Sequence, residues 1–275
     1  MRIALCNEVL RDLSFADQCA FAAALGYDGL EIAPFTLTDD PRSLAPARMA
    51  EIRRIAADHG LAITGLHWLL TTPEGLSITA ADPSARQRTF DVLDRLVDLC
   101  AALGGTVLVH GSPRQRAMRE DGGEDARKRA LDYFAAAGTA ARRARVTYCI
   151  EPLSPAETDF VNTVAEAAAI VQAIGEPALR TMIDTSAAGA AELEPVAALI
   201  DRWLPTGLVA HVQVNDTNRR GPGQGSDAFA PVFAALRRHG WDRTVAVEPF
   251  DYRPDGPACA ARAIGYIRGI LEALP

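Results

Sequence analysis

Short apolar runs alternate with longer amphipathic segments along the whole chain. The apolar runs are bounded by glycine or polar residues, which is typical of buried strands. They predict strands at Ile3–Cys6, Gly29–Ile32, Ala62–Trp68, Thr106–His110, Thr147–Glu151, Thr181–Asp184, Leu208–Asn215 and Thr244–Glu248. The amphipathic segments have apolar residues at helical spacing. They predict helices at Phe15–Leu25, Pro46–His59, Pro83–Leu103, Glu124–Arg143, Thr163–Ile174, Ala190–Trp203, Asp227–His239 and Pro257–Leu274.

This alternation makes eight βα units, with a mean repeat of about 34 residues in a chain of 275. Eight such units in roughly 250 residues are the signature of a (β/α)8 barrel. A doubly wound open sheet is the alternative, but it requires a glycine-rich turn after the first strand. The segment Cys6–Leu10 contains no glycine. The pattern therefore predicts an α/β protein with a single (β/α)8 TIM barrel, and one domain over residues 1–275.

Polar residues lie at or next to the end of each predicted strand, and four of these residues recur at nearly constant spacing. Glu151, Asp184, Gln213 and Glu248 are separated by 33, 29 and 35 residues. That spacing is one βα unit, so four successive strands would bring these side chains together at the carboxyl-terminal end of the barrel, where barrel enzymes carry their active sites. Because facing carboxylates repel each other, a divalent cation would stabilise the group. The all-oxygen set suits Mn²⁺ or Mg²⁺, and Co²⁺ is also compatible.

The motifs around these residues resemble the xylose-isomerase-like TIM-barrel superfamily, most closely the ketose 3-epimerases and hydroxypyruvate isomerase. The resemblance covers nearly the whole chain and is most specific in the segments 151–153, 184–185, 211–216, 219–223 and 247–249. It implies one divalent metal ion and two glutamates that transfer the substrate proton through an enediolate. On this chain it implies Glu151 and Glu248 as catalytic residues. The metal ligands that it implies are Glu151, Asp184, Gln213 and Glu248.

Two features of the strand-7 and strand-6 motifs depart from the epimerase pattern. Epimerases often have His-x-His in strand 7, where this chain has His211 and Gln213, as in hydroxypyruvate isomerase. His211 is therefore a second candidate for the strand-7 ligand. Ala187 stands where these families have a histidine that contacts substrate. The identity of the substrate therefore stays open. Further substrate contacts are predicted from the resemblance or from strand-end positions, at Glu157, Arg219, His67, His110 and His211.

Composition narrows the remaining classes of function. The net charge is −7, which argues against binding nucleic acid or a membrane surface. Lys128 is the only lysine and lies in a polar run, so Schiff-base and P-loop mechanisms are disfavoured. The five cysteines include no CxxC pair, and we find neither a signal-peptide pattern nor an apolar run long enough to span a membrane. We therefore expect a cytoplasmic protein, and its assembly into a homo-oligomer stays open.

Together these observations predict a metal-dependent isomerase or epimerase that acts on a keto sugar or a small hydroxy-carbonyl compound. Two alternatives stay open. A metal-dependent dehydratase or lyase of the same superfamily would begin with the same proton abstraction and then expel a hydroxyl group. A non-catalytic sugar-binding barrel would have no need of two opposed glutamates beside a metal ion.

Overall fold

Eight parallel strands form a closed barrel in chain order, which confirms the predicted (β/α)8 fold. The structure is a computed structural model that describes residues 1–118 and 123–275. The strands are β1 (Arg2–Cys6), β2 (Gly29–Ile32), β3 (Ala62–Leu66), β4 (Val107–His110), β5 (Thr147–Ile150), β6 (Leu179–Asp184), β7 (Val209–Val214) and β8 (Thr244–Val247).

Helices pack around the outside of the barrel. They are α1 (Phe15–Leu25), α2 (Pro46–Asp58), α3 (Pro83–Leu103), α4 (Gly123–Ala144), α5 (Val164–Ile174), α6 (Thr185–Ala191), α7 (Val196–Trp203), α8 (Phe229–Arg238) and α9 (Gly256–Ala273). Local sequence explains their ends. The Asp82 carboxylate accepts hydrogen bonds from the first turn of α3, and Gly104 ends that helix at a φ of 86°, a conformation that favours glycine. Within the described ranges, none of these helices is long and apolar enough to cross a membrane.

One predicted helix is wrong in its extent. The segment Ala190–Trp203 contains two helices rather than one, because α6 ends at Ala191 and α7 begins at Val196. Pro195 lies at the start of α7, where its lack of an N–H group is tolerated. Helix α6 begins directly after β6, and the Asp184 carboxylate accepts a hydrogen bond from Ala187 N at 2.7 Å. Asp184 therefore caps a helix as well as ending a strand.

The barrel interior is lined by small residues that alternate with helix-facing residues. Cys149 and Ala246 belong to two small apolar clusters that are separate from the main core between strands and helices. Glu151 and Glu248 lie two residues further along the same faces, since side chains alternate along a strand. The fold therefore directs both carboxylates toward the barrel axis at the carboxyl-terminal end.

Candidate active site

Three carboxylates meet at the carboxyl-terminal end of the barrel. Asp184 is the last residue of β6, and Glu151 and Glu248 follow β5 and β8 directly. All three side chains are buried, with residue exposures of 5% for Glu151, 4% for Asp184 and 3% for Glu248. One carboxylate oxygen from each lies within 4.8 Å of the other two. The structure therefore brings together three of the four residues that the sequence predicts to meet.

Burial makes this group electrostatically unstable when it is fully ionised. Burial, and then the charge of Asp184, raises the pKa of Glu151 well above its ordinary value. Burial, and then the charge of Glu151, does the same to the pKa of Glu248. Burial also raises the pKa of Asp184 to about 7. Raised carboxylate pKa values cluster at functional sites, and a cation among the three carboxylates would lower them.

Gln213 lies beside this group, on the neighbouring strand. In the β6–β7 register Asp184 pairs with Gln213. The amide Nε2 of Gln213 donates a hydrogen bond to Glu31 Oε1 at 2.8 Å. A carboxylate can only accept from this amide, so Glu31 determines which end of the amide faces it. The buried Oε1 atom of Gln213 has no hydrogen-bond partner in the described part of the chain.

The donor atoms fit a hard divalent cation. Three buried oxygens of Asp184, Gln213 and Glu248 have no hydrogen-bond partner among the described residues, which is costly unless another group satisfies them. They are Asp184 Oδ2, Gln213 Oε1 and Glu248 Oε2. Together with a carboxylate oxygen of Glu151 they form the all-oxygen set that the sequence predicts. Gln213 pairs with Asp184 in the strand register and has an unpartnered oxygen, whereas His211 contacts Glu31.

His211 lies deeper in the barrel and contacts Glu31. Its Nε2 atom is 2.8 Å from Glu31 Oε2, an ion-pair distance. Glu31 is fully buried. Burial alone would raise the pKa of Glu31, but His211 and then His67 outweigh this effect and lower it. Glu31 is therefore held as an anion, with Oε1 accepting from the Gln213 amide and Oε2 at ion-pair distance from His211.

A second ion pair borders the site on the side of β1 and β3. His67 Nε2 lies 2.8 Å from Glu8 Oε2 and 3.8 Å from Glu248 Oε1. Burial alone would lower the pKa of His67, but Glu8 raises it. His67 thus lies beside Glu248, a predicted catalytic residue, and pairs with the carboxylate of Glu8.

A cavity of about 210 Å³ opens beside Glu151 and Asp184, and both Glu157 and Arg219 line it. Glu157 Oε2 accepts hydrogen bonds from the backbone N of Ser154 at 3.2 Å and from its hydroxyl at 2.7 Å. The Arg219 guanidinium lies 5.0 Å from the ring centroid of Phe250, which also lines the cavity. This volume is below the roughly 300–1,000 Å³ of sites for drug-sized ligands, so it suits a small substrate.

Glu151 is held from two sides. The guanidinium of Arg116, which is fully buried, donates to the backbone oxygen of Glu151 at 2.6 Å. Gly111 lies against the carboxylate, since a Cβ atom at position 111 would be 1.8 Å from Glu151 Oε2. Only glycine leaves room for the carboxylate in this position.

His110 does not join the group that the sequence predicts. Its ring packs against Tyr133, Phe134 and Tyr148, and its Nδ1 atom is 2.7 Å from the Tyr148 hydroxyl. Burial, and then the charge of Arg116, lowers its pKa to about 3. These are the contacts of a neutral core histidine between the barrel and α4, and they give no support to its predicted contact with substrate.

Three residues of the site had no role in the sequence-based prediction. They are Glu8, Glu31 and Arg116. Glu31 could have been recognised from the sequence, because it lies in the short apolar strand β2. A buried carboxylate without a partner is too costly to retain, so a glutamate in such a strand indicates a functional role. Arg116 carries no comparable signal, since it lies in a single 3-10 turn in the connection between β4 and α4.

Comparisons with known proteins agree with this architecture. Residues 19–270 match the family described as Xylose isomerase-like TIM barrel, which is most of the chain. The chain belongs to this family. The assignment confirms the predicted resemblance and explains why the polar residues cluster at the carboxyl-terminal ends of the strands.

Relatives in the family are named as ketose epimerases, which are isomerase-class enzymes. The D-psicose 3-epimerase of Agrobacterium fabrum is 27% identical over 232 residues, which cover 83% of this chain and 76% of that protein. A probable ketose 3-epimerase of Synechocystis is 22% identical and covers 90% of this chain and 83% of its own length. A solved L-ribulose 3-epimerase shares the fold with a TM-score of 0.83 at 22% identity, over 98% of this chain and 94% of that one.

Proposed function

We propose that this protein is a divalent-metal-dependent sugar epimerase that acts on a ketose at the carbon next to the carbonyl group. The observation that carries the proposal is the meeting of Glu151 and Glu248 with Asp184 in one buried group. The relatives named as ketose 3-epimerases support the same reaction. Epimerisation needs two carboxylates that exchange protons with opposite faces of one carbon, and Glu151 and Glu248 are the candidates.

In this mechanism the two glutamates exchange a proton with substrate. One carboxylate removes the proton next to the carbonyl to give an enediolate, and the other returns a proton to the opposite face of the same carbon. A divalent cation, when bound, polarises the substrate carbonyl and stabilises the negative charge that develops. The residues that would hold it are Glu151, Asp184, Gln213 and Glu248.

Residues around the cavity position the substrate. Arg219 and Glu157 offer a donor and an acceptor for hydroxyl groups, and Phe250 offers an apolar face for sugar carbons. Ala187 also lines the cavity, so the position of the missing histidine is occupied by a methyl group. We therefore expect the hydroxyl pattern that this enzyme accepts to differ from that of the epimerases that have the histidine.

Incubation with Mn²⁺ and a panel of ketoses in D₂O tests the function. An epimerase should produce the epimeric ketose with deuterium at the inverted carbon. Isomerisation would instead give an aldose, and a dehydratase would give a product that has lost water. The absence of exchange with every ketose would contradict the proposal and favour a sugar-binding barrel.

Removal of divalent metal should abolish turnover and lower the melting temperature. A ligand that binds only the folded protein stabilises it, so the protein should melt at a lower temperature after chelation by EDTA. Elemental analysis, kinetics and thermal melting before and after chelation measure the effect, and added Mn²⁺ should restore both properties. Full turnover in protein shown to be free of metal would contradict metal dependence.

Glu31 should influence metal affinity through Gln213. The Glu31→Gln variant should bind Mn²⁺ about 10–100-fold more weakly, the usual effect of losing a group that orients a ligand. Gln213→Leu should also weaken binding, whereas Gln213→His should retain a metal and shift its preference toward Co²⁺ or Zn²⁺. Calorimetric titration of the metal-free variants measures each affinity.

The double variant decides whether Glu31 acts through Gln213. If it does, Glu31→Gln should have little further effect in the Gln213→Leu background, because the amide that it orients is gone. Independent, additive losses would show that Glu31 supports the barrel in another way. Metal binding by Gln213→Leu as tight as that of the parent would instead identify His211 as the strand-7 ligand.

A further inference from the structure

A second cavity, of about 240 Å³, opens at the end of the barrel where the strands begin. Arg2, Thr147 and Thr244 are the first residues of β1, β5 and β8, and Arg145 and Arg243 precede two of these strands. The candidate active site lies at the other end of the strands. This cavity, which we call the basal cavity, is therefore a separate site.

The basal cavity is lined by three guanidinium groups and by no acidic side chain. In the described part of the chain, none of Arg2, Arg145 and Arg243 has an ion pair with a carboxylate. Other arginines nearby in the sequence do have one. Arg142 pairs with Glu176 at 3.1 Å, for example. Three like charges around one cavity repel each other, so the arrangement favours a bound anion.

Some polar groups of the basal cavity are held in place by hydrogen bonds, and others are free to bind a ligand. Arg243 Nη1 donates to the backbone oxygen of Ala210 at 3.1 Å, which holds this guanidinium at the cavity and leaves its other N–H groups free to donate. The hydroxyls of Thr147 and Thr244 have no hydrogen-bond partner among the described residues. The backbone N of Arg145 donates to Arg142 O at 3.2 Å, which fixes the turn that carries this arginine.

We propose that the basal cavity binds a small oxyanion, either inorganic phosphate or the phosphate group of a small metabolite. Guanidinium groups donate paired hydrogen bonds that match phosphate oxygens, and threonine hydroxyls add further donors. The volume is below that of sites for drug-sized ligands, which limits the ligand to a small anion. His211 forms the inner wall, and the Glu31 carboxylate beyond it repels an anion from the barrel axis.

Thermal melting in phosphate, compared with chloride at equal ionic strength, tests the proposal. Inorganic phosphate at about ten times its Kd should raise the melting temperature of the parent by about 2–4 °C. The double variant Arg145→Gln/Arg243→Gln should lose this shift, and calorimetry should show at least a tenfold weaker phosphate affinity. Both arginines are exposed, so the variant should melt like the parent in chloride.

A matched control separates the cavity from general charge effects. The variant Arg48→Gln/Arg54→Gln removes the same charge from exposed positions on α2 and should keep the full phosphate shift. Glycerol 3-phosphate distinguishes the two sources of the anion, since tighter binding than that of phosphate indicates a metabolite and weaker binding indicates inorganic phosphate. The absence of a shift in the parent, or an equal shift in the Arg145→Gln/Arg243→Gln variant, would overturn the proposal.

Discussion

Turnover by the Glu151→Gln and Glu248→Gln variants should fall by about 10²–10⁴-fold, the usual contribution of a positioned acid or base. Glutamine keeps the length of the side chain and one coordinating oxygen, but it cannot accept the substrate proton. The loss should therefore persist when Mn²⁺ is saturating. Steady-state kinetics of each variant over a range of Mn²⁺ concentrations measures it.

Asp184→Asn is the matched control for these two variants. Asp184 belongs to the same buried group, but the proposed mechanism gives it no proton to carry. Its replacement should mainly weaken metal binding, and excess metal should partly restore the rate. Deuterium exchange should also separate the two glutamates, because loss of the one that faces the C–H bond stops exchange. Rescue of both glutamate variants by saturating metal would show that the carboxylates only hold the ion.

The fold could be predicted from the sequence because each element carries its own signal. The predicted bounds of α1, β2 and α3 agree with the structure, since glycine or a capping aspartate marks their ends. The segment Ala190–Trp203 was harder to predict, because its apolar residues continue at helical spacing through the break before Pro195. Backbone conformation rather than hydrophobic pattern separates α6 from α7.

The site was predicted only where one strand determines the direction of a side chain. Glu151 and Glu248 follow strands whose inward residues are small, so their direction can be inferred from alternation. The run Val107–His110 has no polar residue before its last position to show which face is inward, and His110 points away from the axis. For Glu31 the β2–β3 register shifts between Leu30 and Glu31, so its position relative to β3 could not be inferred from the sequence.

Contacts between distant strands could not be inferred from the local pattern. The hydrogen bond between Gln213 and Glu31 spans 182 residues, and the ion pair between His67 and Glu8 joins the segments that follow β3 and β1. The contact between Gln213 and Glu31 depends on closure of the barrel, because pairing of β8 with β1 brings β7 near β2. The sequence therefore predicts which carboxylates meet, whereas the structure reveals what orients and neutralises them.

Gly111→Ala should lower turnover by about 10²-fold or more, although residue 111 takes no part in the chemistry. A Cβ atom there would lie 1.8 Å from Glu151 Oε2, far below the 3.0 Å under which real Cβ contacts are essentially never seen. The obstructing atom is the end of a flexible side chain, so the barrel should still fold while the carboxylate moves away. A displacement of about 1 Å at a reacting group costs roughly 10²-fold in rate.

Circular dichroism, thermal melting and kinetics of Gly111→Ala check this expectation against Gly265→Ala. In the control, a Cβ atom at position 265 in α9 meets no atom within 4 Å, so turnover should be unchanged. Because alanine has a higher helix propensity than glycine, the Gly265→Ala variant should be more stable by about 0.5–1 kcal/mol. Normal turnover in a folded Gly111→Ala protein would mean that the position of the Glu151 carboxylate does not limit the reaction, and Glu151 could not then be the residue that faces the C–H bond.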